Sequence, residues 1–425
     1  MKREEALTAM TDTFISRAFD RARLSLAADW LAAGAVAAMP WSTSISQILT
    51  VIWLVVLIPT LDVAMLRREV QSLAGGLPVL LWLLGLVGML WADIPWAERF
   101  AGLGGFNKLL LIPFVLAQFR RSGRGRLVLY AFLGSCAALL IASVVTWFPG
   151  FQPTGKAPGI PVRDYIAQST EFLICAFALL GVAFEACRVR SWMLAGGAAL
   201  LAALFVANIL MIATGRTGLV VIVLLLVIFG FRLLGWKGII AGFIAAVALG
   251  AVGWVSSPFL RTRVMQSINE TQEFQTSNAP SPTGQRLEMW QRSLGFVIAA
   301  PVIGHGTGSI PDQFRRTAVG EGLSGLHANN PHSQVFAVAI QIGIIGVVVL
   351  LAMWVAHLML FTGGGLVPWI GIVIVVQNIA SSQFNSHLFD SFHGWLYVFG
   401  FGVVGGMALR QQVGSSAADA TSEAP

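Results

Sequence analysis

The sequence predicts an all-α, polytopic membrane protein, and three observations support this fold class. Of its 425 residues, 56% are hydrophobic and only 11% are charged, whereas a typical soluble domain carries about 25% charged residues. So few polar side chains cannot cover a soluble molecule of this length. The hydrophobic residues also form long continuous blocks, unlike the alternating strands of a β-barrel. These observations exclude a disordered chain, a β-barrel and a soluble enzyme with a single anchor.

Twelve segments have the length and hydrophobicity of membrane-spanning helices. They lie at residues 25–40, 45–61, 76–92, 101–119, 127–148, 168–186, 192–213, 216–231, 238–256, 333–355, 364–380 and 392–409. This pattern divides the chain into an N-terminus (1–24), spans one to nine (25–256), one large loop (257–332), spans ten to twelve (333–410) and a tail (411–425). The tail is small and polar, which is typical of disorder.

The basic residues predict the orientation of the spans. Most of the 27 Lys and Arg residues fall on the side that holds both chain ends, namely Lys2, Arg3, Arg17, Arg21, Arg23, Arg67, Arg68, Arg120, Arg121, Arg124, Arg126, Arg188, Arg190, Arg232, Lys237 and Arg410. Short loops on the other side hold Arg99, Lys156, Arg163 and Arg216. The positive-inside rule therefore predicts cytoplasmic termini and an outer large loop. Because topology accounts for the net charge of +7, no nucleic-acid partner is predicted.

Three arginines on the outer side need an explanation other than orientation. Arg216 lies in the turn Thr-Gly-Arg-Thr-Gly at 214–218, Arg163 lies just before a span, and Arg286 opens an amphipathic segment. Each could pair with a nearby acidic residue or reach lipid headgroups, although Arg216 has no acidic neighbour in its turn. Since a guanidinium offers bidentate donors and keeps its proton, these arginines are also suited to binding phosphate.

A dense polar segment closes the large loop. Residues 326–334 read Leu-His-Ala-Asn-Asn-Pro-His-Ser-Gln and lead directly into the tenth span. A histidine in this position can act as a general base near neutral pH, because its ordinary pKa is about 6.5. An isolated histidine is more often a hydrogen-bonded interface residue, which is the interpretation that His305 and His327 favour when each is taken alone.

Several short motifs, in their order and spacing, resemble the O-antigen ligase and polymerase family. They are Arg286 and Trp290 on one helix, the turn Pro-Val-Ile-Gly-His-Gly-Thr-Gly at 301–308, the segment Asn-Pro-His-Ser-Gln at 330–334 and the Gly-x-x-Gly pair Gly343 and Gly346. The family pattern is an Arg…Trp helix, a Pro-x-x-Gly-x-Gly turn and Pro-His-Asn before a span with Gly-x-x-Gly. Ser333 departs from it, because the family usually has Asn there. The twelve spans and the loop after the ninth extend the resemblance over nearly the whole chain.

The resemblance implies a GT-C-like fold and a glycosyltransferase of lipopolysaccharide biosynthesis. Its donor would be O-antigen polysaccharide on undecaprenyl diphosphate, and its acceptor would be the lipid A-core oligosaccharide. The protein would lie in the bacterial inner membrane, in contact with membrane lipids, with cytoplasmic termini and a periplasmic active site.

The residues fit that chemistry in defined roles. Arg216 and Arg286 would stabilise the charge that develops on the leaving diphosphate, and His332 would accept the proton of the acceptor hydroxyl. One base without a carboxylate nucleophile favours a single displacement with inversion. The expected substrate-binding residues are Lys156, Arg163, Tyr165, Trp290, His327, Asn330 and Gln334.

No metal or other cofactor is predicted. The outer side carries no DxD motif or clustered carboxylates, and the three cysteines form no CxxC.

Three alternatives remain open. An O-antigen polymerase would use a similar lipid-linked donor but a second donor-linked glycan as acceptor, and a protein O-oligosaccharyltransferase would use a protein acceptor. A secondary transporter would place ionisable residues near the middle of the membrane, and the sequence offers Lys108 alone as a candidate there.

Overall fold

All regular secondary structure is helical in the part of the chain that the computed structural model describes, residues 20–274, 276 and 280–422. The α-helices in this part are α1 (Arg21–Ala38), α2 (Thr43–Leu57), α3 (Val63–Gln71), α4 (Leu73–Gly88), α5 (Trp96–Gly104), α6 (Ile112–Arg121), α7 (Gly125–Trp147), α8 (Tyr165–Arg188), α9 (Trp192–Met211), α10 (Arg216–Leu234), α11 (Trp236–Ser256), α12 (Pro258–Phe274), α13 (Pro282–Ala299), α14 (Ile310–Arg316), α15 (Gln334–Met359), α16 (Leu366–Ser381) and α17 (Ser391–Ser422). Short 3₁₀ helices occupy Ile58–Thr60 and Asn107–Leu111.

The helices confirm a polytopic membrane protein. Eight of them are long and apolar enough to cross a membrane: α2 with its 3₁₀ extension, α7, α8, α9, α10, α11, α15 and α17. Two bent pairs raise the number to ten if each pair is one span, with a bend of 84° between α3 and α4 and of 47° between α5 and the segment Asn107–Arg121. The two other predicted spans coincide with α1, which carries Arg21, Arg23 and Asp29, and with α16, which has 16 residues.

Side-chain caps fix where the helices near the large loop begin. Asp164 accepts hydrogen bonds from the backbone N–H groups of the first turn of α8. Ser281 does the same for α13, and Ser333 for α15. A cap satisfies N–H groups that have no partner within the helix. These three residues therefore fix the first residues of helices that begin beside the polar segments.

The turn at 301–308 docks against a break in α15. Gly343 interrupts this helix with a φ of 68°, a conformation that favours glycine. The N–H of His305 donates to the carbonyl of Ile340 (2.7 Å), and that of Ile344 donates to the carbonyl of Pro301 (2.9 Å). A Cβ on Gly343 would lie 2.2 Å from the Val302 carbonyl oxygen. The Pro-x-x-Gly-x-Gly and Gly-x-x-Gly motifs therefore form one packed unit.

Buried ionisable residues are more numerous than the sequence analysis expected. Lys108 is buried and donates to the carbonyl of Phe389, and three acidic side chains are buried as well. Asp29 accepts from Gln118 and Ser122, and Glu69 pairs with Arg120 at 3.1 Å. Glu171, in α8, has no hydrogen-bond partner among the described residues. Glu69 also pairs with its sequence neighbour Arg68 at 2.9 Å, whereas the contacts with Arg120, Gln118 and Ser122 come from long-range packing that local sequence does not reveal.

The predicted large loop, residues 257–332, contains α12, α13 and α14. Its amphipathic segment belongs to α13. In the predicted tail, the backbone of α17 continues to Ser422; this departs from the predicted disorder over 411–422, where the chain simply extends the last span as a helix. Residues 1–19 of the predicted N-terminus and residues 423–425 lie outside the described part of the chain.

Candidate functional site

A cavity of about 70 Å³ opens where α8, α10 and α16 meet α12 and α13. Its polar lining combines three arginines, Arg216, Arg263 and Arg286, with hydroxyl and amide side chains. The hydroxyl and amide residues are Tyr165, Ser169, Thr170, Thr214, Thr217, Gln377 and Ser381. None of the described residues that line this cavity is acidic. Its chemistry is that of a site for an anion with several oxygen atoms.

Arg216 is the first residue of α10 and has an acidic partner from a distant part of the chain. Its Nη1 donates to Glu270 Oε2 at 3.2 Å and to Thr283 Oγ1 at 2.6 Å. The sequence analysis found no acidic neighbour in the turn because Glu270 comes from α12. Nη2 and Nε of Arg216 have no partner among the described residues, so one edge of the guanidinium is held and the other is available to a ligand.

Glu270 is itself held in its charged form. Burial acts to raise the pKa of this carboxyl, but hydrogen bonds from Thr283 and Arg216 outweigh it and lower the pKa below its ordinary value. The ionised Glu270 therefore keeps Arg216 in a fixed orientation at the cavity wall.

Arg286 lies in the first turns of α13 and has no side-chain hydrogen bond or ion pair within the described ranges. The nearby Glu288, a possible partner by sequence, does not pair with it there. Burial lowers the pKa of Arg286, and the positive charge of Arg216 acts in the same direction. An uncompensated, partly buried guanidinium is costly unless an anion binds to it, which makes Arg286 the strongest sign of a ligand in the cavity.

Arg263 is the cavity arginine that sequence reasoning missed. It lies on α12, with its guanidinium carbon 5.4 Å from the ring centre of Tyr165 and 5.1 Å from that of Phe259. Its buried Nε has no hydrogen-bond partner among the described residues. A signal for it was present, because Arg263 follows an apolar span on the side that the positive-inside rule leaves poor in basic residues.

His332 adopts an unusual backbone conformation two residues before α15. Its φ is 52°, in the left-handed region that non-glycine residues rarely occupy. Its N–H donates to Asn330 Oδ1 at 2.9 Å, and its carbonyl accepts from Trp290 Nε1 at 3.2 Å. Strain of this kind is concentrated at functional sites, and here two residues of the surrounding structure maintain it.

The imidazole of His332 is poised in its neutral form. Burial lowers its pKa, Arg286 lowers it further by charge repulsion, and a hydrogen bond with Asn385 acts in the opposite direction. Its Nδ1 is buried without a hydrogen-bond partner in the described residues. A neutral imidazole with an unshared nitrogen can accept a proton.

Helix α13 connects the arginine cavity to His332. Arg286 and Trp290 are four residues apart, so they lie on the same face of α13. Arg286 lines the cavity, and Trp290 holds the carbonyl of His332. The structure therefore brings together Arg216, Arg286 and His332, the three residues for which the sequence predicts a catalytic role.

A network of amides and hydroxyls supports the histidine segment from a second chain region. Asn330 Nδ2 donates to Asn385 Oδ1 at 2.6 Å, and Ser386 Oγ donates to Asn330 Oδ1 at 2.7 Å. Gln334, which is fully buried, accepts from the N–H of Leu388 at 3.0 Å. Asn330 and Gln334 thus fix the loop after α16 against His332. Asn385 was not predicted, since it lies 53 residues from His332 in sequence.

The other predicted substrate-binding residues fall in different places. Tyr165 lines the cavity, and His327 is exposed on the loop. Arg163 does not line the cavity; it donates to the carbonyl of Met39 and lies 4.5 Å from the ring centre of Phe392. Lys156 donates to the carbonyl of Arg163. Roles for Arg163, Lys156 and His327 in substrate binding stay predictions.

A buried histidine pair lies beneath the cavity. His387 Nδ1 is 2.7 Å from Ser381 Oγ, and Ser381 is one of the residues that line the cavity. The rings of His387 and His393 stack at 3.8 Å, and His393 Nδ1 contacts Asp390 Oδ1 at 2.9 Å. Burial, then the neighbouring His393, lowers the pKa of His387 far below its ordinary value. Through His387, this pair is therefore connected to the cavity lining at Ser381.

Metal ligands were also sought around the site. Over the ranges that the structure describes, no three His, Cys, Asp or Glu side chains are grouped in a way that could hold a metal ion. Metal independence stays a prediction and is tested below.

Replacing Arg263 with glutamine is expected to weaken donor binding more than it slows turnover. The reason is that Arg263 adds a positive charge to the cavity wall, whereas the predicted proton acceptor is His332. A loss of one charged hydrogen bond corresponds to about 1.5–3 kcal/mol, or roughly a tenfold or larger rise in KM for a lipid-linked donor. Steady-state transfer kinetics would measure it. An unchanged KM would remove Arg263 from the donor site.

Comparison with known proteins gives one family match, over part of the chain. A family model described as O-antigen ligase matches residues 199–351. This stretch runs from α9 into α15 and contains Arg216, Arg263, Arg286 and His332. A comparison with curated proteins gave no match. The matched domain supports a multi-pass membrane enzyme of glycosyltransferase type that acts on lipid-linked polysaccharide in O-antigen assembly. The match over residues 199–351 supports the O-antigen ligase family for this chain.

Proposed function

We propose that this protein is an O-antigen ligase, which transfers O-antigen polysaccharide from undecaprenyl diphosphate to the lipid A-core oligosaccharide. The observation that carries the proposal is a cavity lined by three arginines, one of which, Arg286, is near enough to His332 to lower its pKa by charge repulsion. A proton acceptor next to an anion site is the arrangement that transfer from a diphosphate leaving group requires.

The arginines would act on the donor. As the bond between the sugar C1 and the diphosphate oxygen breaks, negative charge grows on the leaving diphosphate. The free edge of Arg216 and the unpaired Arg286 would stabilise that charge through donors already in place. Because Glu270 fixes Arg216 before the donor arrives, little rearrangement is needed at the moment of reaction.

His332 would act on the acceptor. Its imidazole takes the proton of a core-sugar hydroxyl while that oxygen attacks C1 from the face opposite the diphosphate. The reaction is then a single displacement that inverts the configuration at C1. The lining residues that the structure describes include no carboxylate that could serve as a nucleophile, which favours this route over a double displacement.

The proposed location is the inner membrane, with the cavity at the periplasmic face. Arg188 and Arg232 lie at the ends of α8 and α10 opposite the cavity, on the side that the sequence analysis finds rich in basic residues. The positive-inside rule places that side in the cytoplasm, and both termini with it.

A deletion strain and a purified transfer assay test the function. Loss of a ligase should leave long polymer on the carrier lipid, whereas loss of a polymerase should leave single repeat units. The purified protein should in addition move polymer from the carrier to lipid A-core. Single units in the deletion strain would favour the polymerase, and transfer to a protein would favour the oligosaccharyltransferase. Flux through proteoliposomes without group transfer would favour a secondary transporter.

Transfer by the purified protein is expected to be insensitive to EDTA. The physical reason is that three guanidinium groups supply the positive charge that a divalent ion supplies in other diphosphate-dependent enzymes. The rate should be measured with EDTA and after readdition of Mg²⁺. A rate that falls with the chelator and returns with the ion would contradict metal independence.

The transfer rate is expected to stay high below the ordinary pKa of histidine. Because burial and Arg286 lower the pKa of His332, the neutral, proton-accepting form persists to lower pH than in a free imidazole. The acid limb of the profile should therefore have its midpoint below about 6.5. Initial rates across that range would test this expectation. A midpoint above it would mean that His332 is not the group that titrates.

A further inference from the structure

A second cavity, of about 290 Å³, opens at the opposite end of the bundle from the arginine site. The carboxyl ends of α8 and α10 form two of its sides, and the glycine-rich segment 363–365 before α16 forms the third. Its charged lining consists of Arg188, Arg232 and Glu185. Nothing in the proposed transfer reaction uses this cavity.

Arg232 is held at the cavity in a defined geometry. Its Nη2 donates to the carbonyls of Gly363 and Gly365, both at 3.0 Å. Its guanidinium carbon lies 5.9 Å from the ring centre of the buried Trp369. Nη1 and Nε have no partner in the described part of the chain. As with Arg216 in the first cavity, one edge of the guanidinium is anchored and the other is left for a ligand.

Arg188 supplies a second, more mobile positive charge. Its side chain is 66% exposed and pairs with Glu185 only loosely, at 3.6 Å. Two arginines and one glutamate leave this cavity with one net positive charge. That charge matches the single negative charge of a phosphodiester.

Exposed tryptophans mark the level of the cavity in the membrane. Trp192 and Trp236 begin α9 and α11 at this same end and are 67% and 80% exposed. Exposed tryptophans at helix ends lie at the level of the lipid headgroups. The cavity therefore opens among headgroups, and its volume, near the lower limit of about 300 Å³ for ligand pockets, suits a headgroup better than a whole lipid.

We propose that this cavity binds the phosphodiester headgroup of an anionic phospholipid, with Arg232 and Arg188 as its ligands. The free edge of Arg232 donates to the phosphate oxygens, and Arg188 turns from Glu185 to complete the site. This binding joins α8, α10 and the segment before α16 through one lipid, and it is independent of the transfer reaction at the other end.

Native mass spectrometry of the full-length protein in a neutral detergent tests the proposal. Phosphatidylglycerol and phosphatidylethanolamine would be titrated separately. The wild type should retain one phosphatidylglycerol about tenfold more tightly than phosphatidylethanolamine. Arg188→Gln and Arg232→Gln should each lower the phosphatidylglycerol affinity by about tenfold, the equivalent of one charged hydrogen bond. Lys237→Gln removes a positive charge from the same end, outside the cavity, and should change the affinity by less than about twofold.

Several results would overturn the proposal. Equal retention of the two lipids would show that Glu185 accepts an ammonium group. An equal loss in Lys237→Gln would show a general surface-charge effect. Inorganic phosphate that raises the melting temperature of the wild type, without retention of phosphatidylglycerol, would assign the site to free phosphate. Arg232 also anchors a loop, so its variant could fail to fold, and the exposed Arg188 therefore provides the decisive variant. Unchanged lipid retention in Arg188→Gln would refute the proposal.

Discussion

Replacing His332 with alanine should abolish ligation while the protein still folds and reaches the membrane. The imidazole is the proposed proton acceptor, and removal of a general base typically slows a reaction by about 10²- to 10⁴-fold. The loss should appear in kcat, since the proposal assigns contact with the donor diphosphate to the arginines. Purified His332→Ala should be compared with the wild type in the transfer assay, and the deletion strain that carries it should show polymer on the carrier lipid.

A matched variant separates catalysis from folding. His305 also lies on the large loop, but its Nε2 contacts the carbonyl of Phe296 at 2.9 Å, away from the cavity. Glutamine can replace that contact with its amide, so His305→Gln should retain transfer. His332→Gln should be inactive like His332→Ala, because an amide cannot accept the proton. Retained transfer in either His332 variant would refute the assignment of the base.

Replacing Arg216 with lysine should lower the transfer rate by about 10²- to 10³-fold, the usual effect of losing one donor to a developing negative charge. Lysine keeps the positive charge but has a single nitrogen. Arg216 uses Nη1 for Glu270 and Thr283 and keeps its other edge for the ligand, and one ammonium group cannot reproduce both sets of contacts. The defect should therefore appear in kcat as well as in donor KM.

The control for this substitution is Arg261→Lys. Arg261 is exposed on α12, one turn or less from Arg263, and does not line the cavity. It should tolerate lysine with little change in rate. Full activity in Arg216→Lys would show that a point charge is sufficient there, and bidentate recognition of the diphosphate by Arg216 would then have to be abandoned.

Most of the fold follows from hydrophobic patterning. Eleven of the twelve predicted spans each coincide mainly with one helix, because the backbone groups of an apolar run must be paired within the segment in lipid. The span at 101–119 is instead divided between α5, a 3₁₀ helix and α6. The pattern could not show that α3 and α4 meet at 84°, or that Gly343 breaks α15 where the 301–308 turn docks. Those features depend on contacts between separate segments, such as the hydrogen bond from Ile344 to Pro301.

The candidate site was predictable in part, for a similar reason. Arg216, Arg286 and His332 stand out in the sequence because each carries a charged or titratable side chain for which the local sequence offers no structural reason. Arg263, Glu270 and Asn385 do not stand out, since their roles come from partners on other helices. Arg163 shows the converse, because a promising sequence context led to backbone and aromatic contacts outside the cavity.

The sequence by itself determined that this protein lies in a membrane and that it divides into spans and one large loop. It also showed the residue types that the predicted chemistry needs. Those properties depend on composition and on the order of residues along the chain. Only the tertiary structure decided which arginines share a cavity, which edge of Arg216 is free and that His332 is neutral and strained. The reason is that the charge, burial and backbone strain of a residue depend on side chains that are distant in sequence and close in space.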